Sequence, residues 1–461
     1  MWHLRGKPLE VQEQALKASK DQKGFAYFME MGLGKTAVVL NEALDLYIKD
    51  KIEGLIIVCP DTLKENWVIA EVQKWCKNHQ EIRTAIWNKL PQKGEGLFIW
   101  AINYEAFSVG GAKAADMVPK VLQKYKCMLV LDESVQIKNP QSGRAKALVA
   151  CSIFSEYNRI LSGKPTPQGI QDLYSQLRFI GAYEGNYWSF RNKFCVMGGF
   201  KGKKVVGIKN EEELEKILNL CSFRAKKKNW LDIPEKAYTS RKLEMTPDQK
   251  RHYKEMKTDF VTFINDEAVE APMVIIQAMK LQQISSGFLF NEEHEVVWIE
   301  KEPPKLKELL AVLEETDSKI LIPVHFKPSV RLLYEKLKDY NPVLIAGKEI
   351  MKEFELDVEE EKRKFNREDK YRVVLCQTSA AKYGHTLLGT ESCPCHTTYF
   401  YENNYSLDDR VQIEDRNHRF GQKNPVLCID LVSSPIEKAV INALQYKNDV
   451  AEAIMEKKDE F

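Results

Sequence analysis

"FAYFMEMGLGKTAVVLNEAL" (residues 25–44) sets a glycine-rich turn between two apolar patterns of different period. Upstream, Phe25, Tyr27 and Phe28 form a short apolar run that suits a buried strand. Downstream, Ala37, Val38, Leu40, Ala43 and Leu44 recur at helical spacing. A glycine-rich loop between strand and helix aims backbone N–H groups and a helix N-terminus at one point, and that point suits phosphate. Gly32, Leu33 and Gly34 would supply the cradle. Lys35 would reach the β- and γ-phosphates, and the Thr36 hydroxyl would hold Mg²⁺. The strict phosphate-loop pattern asks for glycine where Met29 stands, so the loop alone does not decide the matter.

Working outward, the same rhythm repeats up to about residue 185. "GLIIVCP" (54–60), "GLFIWAINY" (96–104), "CMLVLDE" (127–133) and "NRILSGKP" (158–165) are apolar runs ending in polar or turn residues, with amphipathic stretches between them. That alternation predicts a doubly wound parallel sheet, in which chemistry collects at the carboxyl ends of the strands. Residues 186–300 read differently. Basic stretches at 201–204 and 224–228 lead into a helical, mixed-charge segment, and "EKEPPKLKELL" (300–310) is a hinge candidate. From 301 the rhythm resumes with "KILIPVHF", "NPVLIAG", "YRVVLCQTSA", "TTYFYEN" and "VLCIDLV". Three regions are therefore expected: 1–185 and 301–461 as α/β domains, and 186–300 as a mainly helical linker or protrusion.

Bulk properties narrow the class. With 461 residues the chain holds ample core, and 68 basic against 66 acidic residues leave a net charge of +2. Net charge therefore names no partner, and any nucleic-acid contact must come from local clustering. The opening "MWHLRGKPLEVQEQ" has no apolar signal core and no run approaches membrane-spanning length. An intracellular, soluble chain without a membrane partner is expected. Ten cysteines without a C-x-x-C pair suit a reducing compartment. Cys393, Cys395 and His396 have the wrong spacing for a zinc site and read as a loop.

Two further pieces join the loop. Asp132 and Glu133 end an apolar strand, where Asp132 can hold Mg²⁺ through water and Glu133 can polarise an attacking water. In "QIEDRNHRFGQ" (412–422), a helix would put Gln412, Arg416 and Arg419 at i, i+4 and i+7 on one face. Arginines so held suit fingers that stabilise charge on a transferring phosphoryl group.

Taken together, these pieces resemble the superfamily-two helicase engine, in particular its Swi/Snf-type branch of double-stranded-DNA translocases, in compact form. The resemblance runs over nearly the whole chain in the family's order: "LEVQEQAL" (9–16), "MEMGLGKT", "PDTLKENWVIAEVQKW" (60–75), "INYE" (102–105), "LSGKPTPQGIQDLYSQLRFIG" (161–181), "TPDQKRHYKEM", "MKLQQISSGF" (279–288) and "QIEDRNHRFGQKNPV". It implies two RecA-like domains joined by a helical linker region, ATP and Mg²⁺ as cofactors, and DNA-dependent ATP hydrolysis. Gln12 stands at the position that contacts adenine, and Gln412 and Gly384 join the nucleotide-binding set. Thr62, Lys64, Asn66, Asn103, Tyr104, Ser379 and Thr386 would touch the tracked DNA strand. Three departures fall on the route between nucleotide and nucleic acid: Ser134-Val135 replaces the end of the family's Asp-Glu-Ala-His box, Lys164 stands where threonine is usual, and Thr386 where asparagine is typical.

The expected function is thus an ATP-driven motor on double-stranded DNA, gripping backbone without reading sequence. A strand-separating or annealing helicase on forks or RNA is the alternative, and a non-catalytic scaffold is disfavoured by the intact Lys35, Thr36, Asp132, Glu133, Arg416 and Arg419. A monomer is expected, with a protein partner as one way of finding its target.

Overall fold

The computed structural model describes residues 1–87, 94–108, 113–198, 204–266, 271–383, 386–419 and 421–455. The chain divides into two compact units, Met1–Asp232 with Lys447–Phe461, and Ile233–Tyr446.

The first unit is built on strands β1 (Gly24–Met29), β2 (Gly54–Cys59), β3 (Arg83–Ile86), β4 (Phe98–Asn103), β5 (Cys127–Asp132) and β6 (Tyr157–Ser162). A hairpin, β7 (Cys195–Gly198) with β8 (Lys204–Ile208), follows, and then β9 (Ser222–Ala225). Seven strands form one sheet in the order β3-β4-β2-β5-β6-β1-β9, every neighbour parallel. Successive side chains of β1 face opposite ways. Ala26 and Phe28 pack into one apolar cluster with Ile56, Val58, Leu129 and Leu131, while Phe25, Tyr27 and Met29 join a second with Leu55, Ile57 and Val130. Both faces are therefore covered, which is why these strands are continuous apolar runs rather than alternating ones.

The second unit repeats the plan. Its strands are β10 (Lys236–Lys242), the hairpin β11 (Phe288–Phe290) with β12 (Val296–Trp298), β13 (Lys319–Val324), β14 (Val343–Ile345), β15 (Val373–Gln377), β16 (Cys395–Phe400) and β17 (Val426–Val432). Six of them form a parallel sheet in the order β10-β17-β16-β13-β15-β14. Ile320, Ile322 and Val324 face one core cluster and Leu321 the other. The α/β architecture with two doubly wound parallel sheets is the one expected from the alternating pattern.

The stretch 186–300 does not stand apart as a middle body. It contributes β9 to the edge of the first sheet and β10 to the edge of the second, and the units divide between them at Asp232 and Ile233. The paired helices Pro247–Asp266 and Ala271–Ser285 follow β10. The proline pair at 303–304 starts helix Pro304–Glu315 within the second unit. Cys395 and His396 lie not in a loop but at the entry to β16. Among the described residues, no helix is long and apolar enough to cross a membrane.

Candidate nucleotide site

β1 carries the glycine-rich loop at its carboxyl end, and β6 and β5 lie next to it in that order, with Phe28 opposite Ser162 and Leu161 opposite Asp132. Three strand exits thus meet at one edge: the loop 30–34, the turn at Asp132-Glu133, and the loop that follows Ser162. A Cβ added to Gly163 would sit 3.5 Å from the Met31 backbone nitrogen, so two of these loops are in contact.

The loop itself depends on its glycines. Gly32 and Gly34 have φ of 91° and 79°, in the left-handed region that favours glycine. Gly34 caps helix Lys35–Ile48, and a Cβ there would meet the Gln12 side-chain nitrogen at 2.1 Å. Gln12 is buried against that cap, its oxygen accepting from the Leu9 N–H at 2.9 Å. Lys35 folds back to donate to the Met29 carbonyl at 2.7 Å, and Thr36 opens the first helical turn behind it.

A buried polar network holds the elements under the loop. Arg159 of β6 donates through Nε and Nη2 to Glu42 of the helix, at 3.0 and 2.6 Å, and through Nη2 to the Gln22 carbonyl. The Tyr27 hydroxyl of β1 donates to the same carboxylate at 2.8 Å.

Asp132 is nearly buried and braced from three sides. Its Oδ2 accepts from Trp67 Nε1 at 2.8 Å, its Oδ1 from the Glu133 N–H at 3.0 Å, and its backbone carbonyl from the Tyr104 hydroxyl at 2.8 Å. Burial raises the Asp132 carboxyl above its ordinary value; the Trp67 N–H, the Lys35 charge and the Glu133 N–H oppose that rise. Glu133 follows with φ 53° and ψ 56°, a left-handed turn at a non-glycine residue.

Sequence reasoning missed the hydrogen bond from Trp67 to Asp132. Trp67 lies in a π-helical stretch, Asn66–Glu71, a local widening often found at functional sites. The one signal in the sequence was that a buried indole N–H seeks a partner. Tyr104 is 1% exposed, so it cannot serve as the DNA contact expected of it; its ring is in the core and its hydroxyl is engaged by Asp132. The basic stretch 224–228 is largely engaged within the protein. Arg224 pairs with Glu215, Lys226 and Lys227 are buried, and the Lys227 ε-carbon lies beside Gly32. Of the other stretch, 201–204, residues 201–203 lie outside the described residues, as does Gly384.

The remaining expected nucleic-acid residues lie on strand exits. Thr62 sits in the short turn Asp61–Leu63 after β2, Asn66 is exposed just beyond, and Lys64 pairs with Asp61 at 2.6 Å. Asn103 ends β4 and donates to Glu105 at 2.9 Å. In the second unit, Ser379 is exposed after β15, and Thr386 accepts from Arg419 at 2.7 Å.

The arginine segment departs from the expected helix face. Helix Leu407–Glu414 is capped by Ser406 and stops before either arginine. Gln412 is on it, buried, and donates to Asp408 at 3.0 Å. Arg416 and Arg419 lie in the turn beyond. There the Arg416 carbonyl accepts from the Leu387 N–H at 2.9 Å, and burial lowers the Arg419 pKa. Asn417, fully buried, donates to Thr398 at 3.0 Å, and that tertiary bond draws the chain out of helix.

A glycine-built anion cradle on the exit of an interior parallel strand, with a lysine inside it and an Asp-Glu turn two strands away, defines the class of phosphate-loop nucleotide-binding proteins. A family profile described as the SNF2-related domain matches residues 15–291, and the chain belongs to that family. An uncharacterized ATP-dependent helicase of Mycoplasma genitalium is 26% identical over 432 residues, 91% of this chain and 39% of the relative. The transcription regulatory protein SNF2 of Saccharomyces cerevisiae is 24% identical over 452 residues, 91% of this chain and 26% of its own length. The chain thus spans well under half the length of these curated relatives. The solved Sulfolobus solfataricus SWI2/SNF2 ATPase core in complex with double-stranded DNA aligns over 98% of this chain and 95% of its own, with a TM-score of 0.43 and 19% identity.

Proposed function

We propose that this protein is a DNA-dependent ATPase that moves along double-stranded DNA. The observation that carries this reading is the meeting of the glycine cradle, Lys35 and the Asp132-Glu133 turn at one sheet edge, in a chain of the SNF2-related family. The donor set fits ATP with Mg²⁺. Gly32 and Gly34 hold left-handed conformations at the entry to helix Lys35–Ile48, a helix N-terminus that suits phosphate, and Asp132 retains acceptor capacity beyond its two hydrogen bonds. Thr36 and Asp132 would hold the Mg²⁺, which when bound neutralises charge on the phosphate oxygens.

The chain's own residues then divide the work. Lys35 leaves the Met29 carbonyl to pair with phosphate oxygens. Gln12, beside the cradle, orients the base. Glu133 accepts the proton of the attacking water, and its turn, fixed by Asp132 and Ser134, decides where that water stands. Arg416 and Arg419, in the second unit, would stabilise charge on the transferring phosphoryl group. Thr62, Lys64, Asn66, Asn103, Ser379 and Thr386 present amide, hydroxyl and ammonium groups that suit phosphate rather than bases, which gives grip without sequence preference.

The test compares displacement of a third strand from a DNA triplex with separation of a plain tailed duplex, both with ATP. A motor on intact duplex should clear the triplex and barely open the duplex. Unwinding of the tailed duplex without triplex displacement would favour a strand-separating helicase instead. Duplex-stimulated hydrolysis with neither outcome would leave a switch that does not walk.

A further inference from the structure

We propose that Ser134 and Gln176 are positioning residues that set the Glu133 turn and tie it to the loop after β6. The inference rests on Glu133 being the carboxylate that activates water.

Glu133 holds a left-handed conformation, which a non-glycine residue keeps only where its surroundings fix it. The next residue supplies the anchor. Ser134 is fully buried and its hydroxyl donates to Gln176 Oε1 at 2.7 Å. Gln176, also fully buried, spends both amide protons, one on the Pro165 carbonyl at 2.7 Å and one on the Asp172 carbonyl at 2.9 Å. Pro165 lies two residues after Gly163, which itself sits against Met31 of the phosphate loop. A satisfied polar chain therefore runs from the carboxylate turn, through helix Leu173–Phe179, to the loop that touches the nucleotide cradle. Val135, 3% exposed and without a polar atom, cannot make this link; it runs one residue earlier.

A directional bond fixes the angle of the turn in a way that apolar packing does not, since hydrogen bonds prefer a narrow geometry. Ser134→Ala leaves only the Gln176 oxygen without its donor, whereas Gln176→Met also strands the Pro165 and Asp172 carbonyls, so stability and turnover respond differently to the two. Those two facts separate positioning from packing. The variants are Ser134→Ala, Gln176→Met and the pair combined, measured for kcat and KM with and without duplex DNA, for nucleotide affinity, and for melting temperature.

Ser134→Ala should lose roughly fivefold to tenfold in DNA-stimulated kcat, with nucleotide affinity unchanged. Gln176→Met should lose turnover and melting temperature together, since two buried carbonyls lose their donor, and adding Ser134→Ala to it should lower kcat no further. If the two losses in kcat multiply instead, the residues act separately and the inference falls. If all three variants keep wild-type kcat while Glu133→Gln is inactive, the inference falls and the site reading stands. If Glu133→Gln itself turns over normally, the site reading fails first. Should Ser134→Ala not fold, Ser134→Cys, of nearly the same size with a weaker donor, carries the same comparison.

Discussion

Trp67 carries two tasks in one side chain. Its rings fill the core beneath the first sheet, and its N–H holds Asp132. Burial already raises the Asp132 carboxyl, and the indole N–H is among the groups that favour its ionised form. Trp67→Phe removes that donor and keeps most of the ring, so the Asp132 pKa should rise further. A smaller share of the protein is then ionised at any given pH, and the acid limb of the kcat/KM profile should move to higher pH. Activity should suffer more at mildly acid than at mildly alkaline pH, and an unshifted limb would mean that Asp132 does not govern it. Lys35 and Glu133 separate by a different measurement. Lys35→Ala should lose turnover through weak nucleotide binding, because the cation leaves the cradle. Glu133→Gln should bind nucleotide normally and fail to hydrolyse it. Equilibrium binding alongside turnover tells the two apart. The phosphate loop is legible in the sequence because glycine spacing is a local property. The bracing of Asp132 by Trp67 is not, because it joins residues 65 positions apart.

The segment that follows helix Leu407–Glu414 teaches the same lesson at the scale of an element. Nothing between Glu414 and Gly421 in the sequence breaks a helix, yet the helix stops. The cause is tertiary: Asn417 is drawn to Thr398, a His418 ring nitrogen lies 2.9 Å from the Pro234 carbonyl, and Lys236 pairs with Glu414 at 3.0 Å. Arg419 is consequently placed by a turn and by the Thr386 hydroxyl rather than by helical spacing. Arg419→Ala should cut the maximal ATPase rate roughly a thousandfold, as loss of an arginine finger does elsewhere, with ATP affinity nearly intact. An affinity loss as large as the rate loss would make this arginine a ground-state binder. The interior strands were legible as apolar runs because both their faces are covered. "SFRA" and "KAYTSRK" hid β9 and β10, since an edge strand carries no such run when its side chains are mostly exposed, as in β10, or only partly buried, as in β9.

At the scale of the molecule, a net charge of +2 gives no general attraction for nucleic acid, so on the proposed function affinity would come from individual phosphate contacts at the strand exits. Duplex binding should therefore weaken steeply as salt rises while ATP affinity changes little, and titrations across a salt series check both. A flat response would place the DNA contacts elsewhere than on phosphate. The order of the first sheet has another consequence, for how the chain is made. β1, which bears the phosphate loop, is hydrogen-bonded to β6 on one side and to β9 on the other. At about 5–20 residues per second, the ~190 residues from Met29 to Ser222 take on the order of ten to forty seconds to emerge from the ribosome. Throughout that interval an apolar strand waits with an unpaired edge, open to its neighbours on the polysome. The newborn chain acquires its nucleotide cradle in finished form only once β9 has arrived, and a message cut short before that point yields a sticky fragment rather than a weakened protein.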